Sequence, residues 1–145
     1  MKDKTTLFRE KAATYLCCFC DQCPQHERCL RYEVGTYIDP RQHIVSSISP
    51  HYAPAAAGTC EYFRDNQLRK MPLGMTHFYD DMPHRIERAV KNQLIGLNCR
   101  ATYYKYHRGD RPINPEFLTD IQSACTHAGW TQPLHFDSEV EDYAW

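Results

Sequence analysis

Long hydrophobic runs are absent from this chain: no window approaches the ~18 uninterrupted apolar residues a membrane span requires. The opening Met1-Lys2-Asp3-Lys4-Thr5-Thr6 also lacks the apolar stretch of a signal peptide. The expectation is a cytoplasmic protein without a membrane partner. Glycine is scarce at six residues, and no phosphate-cradling glycine loop is present. Gly-x-Ser-x-Gly and His-Glu-x-x-His are missing too, which removes the familiar hydrolase and metalloprotease constellations. No small-molecule substrate is indicated, and the expectation is a non-enzyme. Lys and Arg are absent from residues 113–145, which hold six acidic side chains, whereas residues 84–112 hold seven basic against two acidic.

What is present is the composition of a folded protein: 42% hydrophobic, 24% charged and 12% aromatic, with ten tyrosines. At 145 residues the chain is long enough for one ordinary domain or two small modules. Its eight cysteines are numerous for that length. In a reducing cytosol, clustered thiols are metal ligands or catalysts more often than disulfides.

Periodicity places a short helix over Thr5–Leu16 behind a threonine cap, and a Pro-, Ala- and Gly-rich loop over 35–58 with one β-branched strand at His43–Ile48. A helix is expected over Tyr62–Lys70, ended by Pro72-Leu73-Gly74, and another over His84–Ile95 stopped by Gly96. Asp80-Asp81 before it is a carboxylate-rich spot that reads as its cap. Asn98–Gly109 reads as a helix capped by Asn98, with an aromatic strand as the alternative. Asn114-Pro115-Glu116 is a strong helix start, and Phe117, Leu118, Ile121, Ala124 and Cys125 repeat at helical spacing up to Gly129. The acidic end at 137–145 reads as a shield for the basic face, a partner-binding tail or a frayed terminus. The fold class expected is mainly α with a small irregular or β segment. A four-cysteine, metal-stapled module over 1–75 would precede a three-helix part over 76–145, or the two would form one continuous domain.

In Cys17-Cys18-Phe19-Cys20-Asp21-Gln22-Cys23-Pro24-Gln25-His26-Glu27-Arg28-Cys29 five thiols fall within thirteen positions, and Cys60 follows. A two-residue gap lets two thiolates grip one ion from a single turn, so Cys20 and Cys23 form the natural chelating pair, completed by Cys29 and Cys60. Four thiolates suit zinc, with an iron–sulfur cluster as the alternative, and pure sulfur ligation favours a closed, structural site over a catalytic one. Cys17 and Cys18 are adjacent and cannot easily bind the same ion, so at least one is a core residue. Cys99 and Cys125 are expected to be buried packing, and His26 and His51 are possible substitutes for a cysteine ligand.

The segment Gln93–Gly109 resembles a repressor-type helix-turn-helix, a helix ending at a glycine turn followed by a second helix with Thr, aromatic and basic residues. The resemblance implies that Arg100, Thr102, Tyr103, Lys105, Arg108 and Arg111 meet DNA. The competing view makes the same cations a solvated helix face and the tyrosines core and rim.

Taken together, Cys23-Pro24, Cys29-Leu30-Arg31-Tyr32, Cys60-x-Tyr62-Phe63, Thr102-Tyr103-Tyr104, Arg108-Gly109 and Phe136-Asp137 resemble a family of Bacteroidales, domain of unknown function 6078, over nearly the whole length. In that pattern the first cysteine is followed directly by Phe, which implies Cys18 as the alternative ligand to Cys20. No activity attaches to the family. The function expected from the residues is a small non-enzymatic zinc protein acting as a DNA-binding regulator. The alternatives are a metal-stapled adaptor that binds another protein, or an iron–sulfur redox protein.

Overall fold

A computed structural model describes residues 2–145. It is mainly helical with one small sheet: six α-helices and two β-strands among the described residues. The chain divides into two compact units, one running through Gln67 and including Trp145, the other Leu68–Ala144.

In the first unit α1 spans Lys4–Ala12. Its cap is Asp3, not the expected threonine: the carboxylate accepts from the amides of Thr5 (2.8 Å) and Thr6 (3.3 Å) and from the Thr6 hydroxyl. The helix also stops short of Leu16. The Leu16 carbonyl accepts instead from the buried Arg31 guanidinium, whose Nε donates to Tyr62 O at 2.7 Å. Phe8 is fully buried and meets Tyr37 and Trp145 edge-on. Helix α2, Leu30–Gly35, contributes buried Leu30 and Val34, and α3, Ala53–Ala56, is a single turn with Pro54 where a helix start tolerates it.

Two expectations for this region are corrected. The run His43–Ile48 forms only an isolated parallel bridge, Cys17 to Ser47, with Cys17 N donating to Ser46 O and Ile48 N to Cys17 O. No helix covers Tyr62–Lys70. The backbone there is committed elsewhere: Leu30 N donates to Arg64 O at 2.6 Å and Asn66 N to Arg28 O at 3.1 Å, around an antiparallel bridge of Cys29 with Asp65. Those partners exclude the i to i−4 pattern a helix needs.

The second unit opens with β1, Arg69–Leu73, paired antiparallel to β2, Ser138–Asp142. The acidic end is therefore a strand rather than a frayed tail, and its register sets Asp142 opposite Arg69 and Glu141 opposite Lys70. Pro72 is accommodated because each strand of a two-stranded sheet is an edge. Helix α4 spans His84–Asn98. Gly96 does not end it; the break comes at Cys99, at φ 57° the non-glycine residue with positive φ among those described. Asp80 does not cap α4 either, since it pairs with His77 at 2.9 Å and the residue preceding the helix, Pro83, has no side chain to cap with. Helix α5, Arg100–Arg108, takes the helical alternative for its segment and closes on Gly109 in the left-handed conformation. Helix α6, Pro115–His127, starts as expected, the Asn114 side chain accepting from Phe117 N at 2.8 Å.

One apolar cluster unites these elements, running from Met75, Phe78, Tyr79 and Met82 through Val90 and Leu94 to Tyr103, Tyr106, Ile113, Phe117, Ile121, Ala124 and Cys125. Tyr106 stacks on Phe117 with ring centroids 4.1 Å apart. The Tyr79 and Tyr103 hydroxyls meet at 2.9 Å, so each polar tip is satisfied inside the core. Burial pushes the Tyr103 phenol up to about 12, and the Tyr79 phenol, desolvated and facing Tyr103, upward as well.

Candidate functional site

Tight turns bring the cysteines of the first unit together. Cys23 N donates to Cys20 O, His26 N to Cys23 O and Cys29 N to His26 O, so residues 20–29 coil through successive turns and a short 3₁₀ turn at His26–Arg28. Cys18 N donates to Arg31 O, and the bridge of Cys29 with Asp65 holds this coil to the segment that follows Cys60. The result is a pocket of about 10 Å³ lined by Cys18, Cys20, Cys23, His26, Cys29 and Cys60, with Tyr32, Tyr62 and Phe63 among its other walls. That is room for about one water-sized body.

The four thiols proposed from spacing, and Cys18, which the family resemblance implied, all line this one pocket. They are free thiols, with Cys18, Cys23 and Cys29 buried and Cys20 and Cys60 half-buried. Among the described residues no group of three or more His, Cys, Asp or Glu side chains stands as a preformed metal site. Cys18 is raised above the ordinary thiol value by burial, against a hydrogen bond from the Cys20 amide, and further by its neighbours Cys29, Cys20 and Cys60. Cys17 points elsewhere: its thiol donates to Tyr15 O at 3.4 Å, and burial raises it, the nearby Arg31 cation working in the opposite sense. It is the core member of the adjacent pair.

The two histidines part company. His51 is exposed and does not line the pocket. His26 does, and its Nδ1 lies 2.7 Å from Cys23 O. A carbonyl can only accept, so Nδ1 donates to it. Tyr32 packs edge-on against that ring at 4.9 Å and donates to Asp21 at 2.6 Å. Sequence spacing gave no pointer to Tyr32; its adjacency to Cys29-Leu30-Arg31 on a helix turn is the only signal.

The basic stretch has a different structure from a helix-turn-helix. That motif needs a turn of three to four residues between its helices, and here Cys99 alone separates α4 from α5. Tyr103, expected to face DNA, is fully buried in the core, which is a correction with a plain cause: it lies on the face of α5 that also carries Tyr106 inward. Thr102 is half-buried, and Arg100, Lys105, Arg108 and Arg111 are exposed. Three of those cations have partners within the unit. Arg100 lies over the Tyr104 ring (5.5 Å), Arg111 over Tyr106 (5.2 Å), and Arg108 donates through Nε and a terminal nitrogen to Asp110 (3.0 and 2.8 Å).

Of the remaining thiols, Cys125 is buried as expected and is pushed up to about 11 by desolvation. Cys99 is exposed, contrary to expectation, because the left-handed joint it forms turns it off the core face. Its thiol is lowered by hydrogen bonding with the Thr102 hydroxyl (3.3 Å) and amide, then by the Ala101 amide and Lys105.

The fold and the pocket define a small, mainly helical protein with a cysteine-lined cavity. The chain belongs to a family of unknown function, DUF6078, whose model matches residues 1–145. No curated protein and no solved structure matches it.

Proposed function

We propose that this is a small non-enzymatic zinc protein in which Cys23, Cys29 and Cys60, with Cys18 or Cys20, bind one ion that staples the first unit. The observation that carries this reading is the meeting of thiols from two separate sequence segments, 18–29 and Cys60, around one cavity of about 10 Å³. Four thiolates close a tetrahedral zinc shell and leave no open position, which suits a structural role. Binding requires the sulfurs to draw inward to a common ion at about 2.3 Å. His26 lines the same pocket and is a further candidate ligand.

The test is elemental analysis of protein purified without chelator or affinity-tag metal. One zinc per chain is expected, lost when Cys23 or Cys29 becomes Ser. A brown protein absorbing near roughly 400 nm with iron and sulfide would replace zinc by a cluster. Metal-free protein with unchanged stability would end both versions.

A further inference from the structure

Four thiolates saturate a tetrahedral zinc ion, yet five thiols line this pocket. Resting on the zinc reading, we infer that the fifth thiol, Cys20, makes the site releasable by oxidation: a hydroperoxide joins Cys20 to Cys18 and expels the metal.

The assignment of the surplus thiol follows from burial and neighbours. Cys18 is 8% exposed and borders the cavity together with Cys23, Cys29 and Cys60. Cys23 and Cys29 are each 7% exposed, and Cys60 is the sole thiol supplied by its segment. Cys20 is half-buried, open enough for a small oxidant to reach it. Cys18 and Cys20 stand two residues apart in the chain and their side chains border the same cavity.

The chemistry balances. The Cys20 sulfur attacks the peroxide O–O bond, forming a sulfenic acid and releasing water (an alcohol, if the hydroperoxide is organic). The Cys18 thiolate then attacks the Cys20 sulfur, a Cys18–Cys20 disulfide forms, and hydroxide leaves and takes up a proton. Two thiols lose two electrons, the peroxide gains them, and the ion is left with three of its four sulfur ligands. Loss of a ligand weakens binding, and because binding is coupled to folding, the first unit loosens with it.

The experiment uses the full chain with Cys99 replaced by Ser, since the exposed Cys99 thiol would otherwise consume oxidant. Hydrogen peroxide is added, zinc release is followed with a chromophoric chelator, and the disulfide is mapped by mass spectrometry. Release is expected in step with the loss of two thiols and the appearance of the Cys18–Cys20 link, reversed by a dithiol reductant. Cys20→Ser is expected to hold zinc as purified and to release it about tenfold more slowly under peroxide, in keeping with the site selectivity of thiol oxidation. Cys18→Ser is expected to lose zinc outright. The inference is overturned if Cys20→Ser is itself purified without zinc, or if it releases zinc as fast as its parent. A parent without zinc ends the zinc reading and this inference with it, whereas a zinc-loaded parent that keeps its metal under peroxide, or forms no Cys18–Cys20 disulfide, ends the inference alone.

Discussion

In the unit of residues 68–144, side chains from three helices and the 75–82 segment close into one apolar cluster with aromatic stacking and a satisfied tyrosine pair at its centre. In the other unit, four of the nine buried hydrophobic residues described are cysteines, helices α2 and α3 are six and four residues long, and much of the remaining chain is turn. Short helices are marginal without packing, and little aliphatic volume is available here to supply it. One unit is held by a conventional core, whereas the other concentrates its buried surface around sulfur. The comparison teaches that the cysteine pocket and the sparse core are the same feature seen from two sides: the unit that lacks aliphatic packing is the one that gathers thiols.

The largest effect is expected from removing the proposed zinc. Chelator, or Cys23→Ser, is expected to abolish amide protection in the first unit while the second keeps its own, withdrawing on the order of 10 kcal/mol of binding-linked folding energy. Hydrogen exchange read residue by residue distinguishes the two, and retained protection before Gln67 would dissolve the contrast. Next in size, Tyr103→Ala should destabilise the second unit by about 3–5 kcal/mol through cavity formation. Tyr103→Phe should cost about 1–2 kcal/mol by stranding the Tyr79 hydroxyl; urea midpoints of both variants check the order. Gly109→Ala is expected to cost about 1–2 kcal/mol. The added Cβ would meet Gly74 and Leu73 atoms only at 3.5–3.6 Å, ordinary contact, so the cost arises from φ 78° rather than from crowding.

A smaller effect belongs to Asp137, which accepts from the amides of Thr76 (2.9 Å) and His77 (3.2 Å) and from the Thr76 hydroxyl (2.8 Å). Its desolvation pulls upward, but those bonds prevail and hold the carboxyl below the usual value. A depressed folded pKa contributes stability above the unfolded pKa and loses it as pH falls through the folded one. Thermal melts should therefore show a decline on acidification through the ordinary carboxylate range and below, under about 1 kcal/mol for so exposed a group, and Asp137→Asn should flatten it. Arg108→Ala, which removes a surface pair with Asp110, should move stability by no more than about 0.5 kcal/mol. A larger change would mean that the basic face of α5 carries structure as well as charge.

What the sequence disclosed depended on whether the signal was local. The start of α6 was legible because Asn114 and Pro115 act on their own first turn, whereas the expected cap of α5 was not: Asn98 ends α4 and its side chain donates back to Leu94 O. The gathering of Cys20, Cys23, Cys29 and Cys60 was legible from ligand spacing and that of Cys18 from the family resemblance, although the exclusion of Cys17 was not, since it turns on a single bond to Tyr15 O. The strand at Arg69–Leu73 was hidden because its partner lies about seventy residues away, and local text around Tyr62–Lys70 contains nothing to mark that pairing. The same holds for Asp3, whose capping of α1 competes on equal local terms with the threonines beside it. Gly96 misled because glycine tolerates a helix interior at a cost of roughly 1 kcal/mol, and α4 absorbs it.

The single residue between α4 and α5 has an implication for how this chain can vary. A joint of one residue at φ 57° leaves no slack, so it sets the rotational phase of α5 as well as its direction. Inserting one residue beside Cys99 would advance that phase by about 100°. Tyr103 and Tyr106 would swing out of register with Tyr79 and Phe117, and the charged side chains would be carried toward the core. Chain length at this point is therefore constrained by the packing of α5, not only by the identity of the residue that forms the joint.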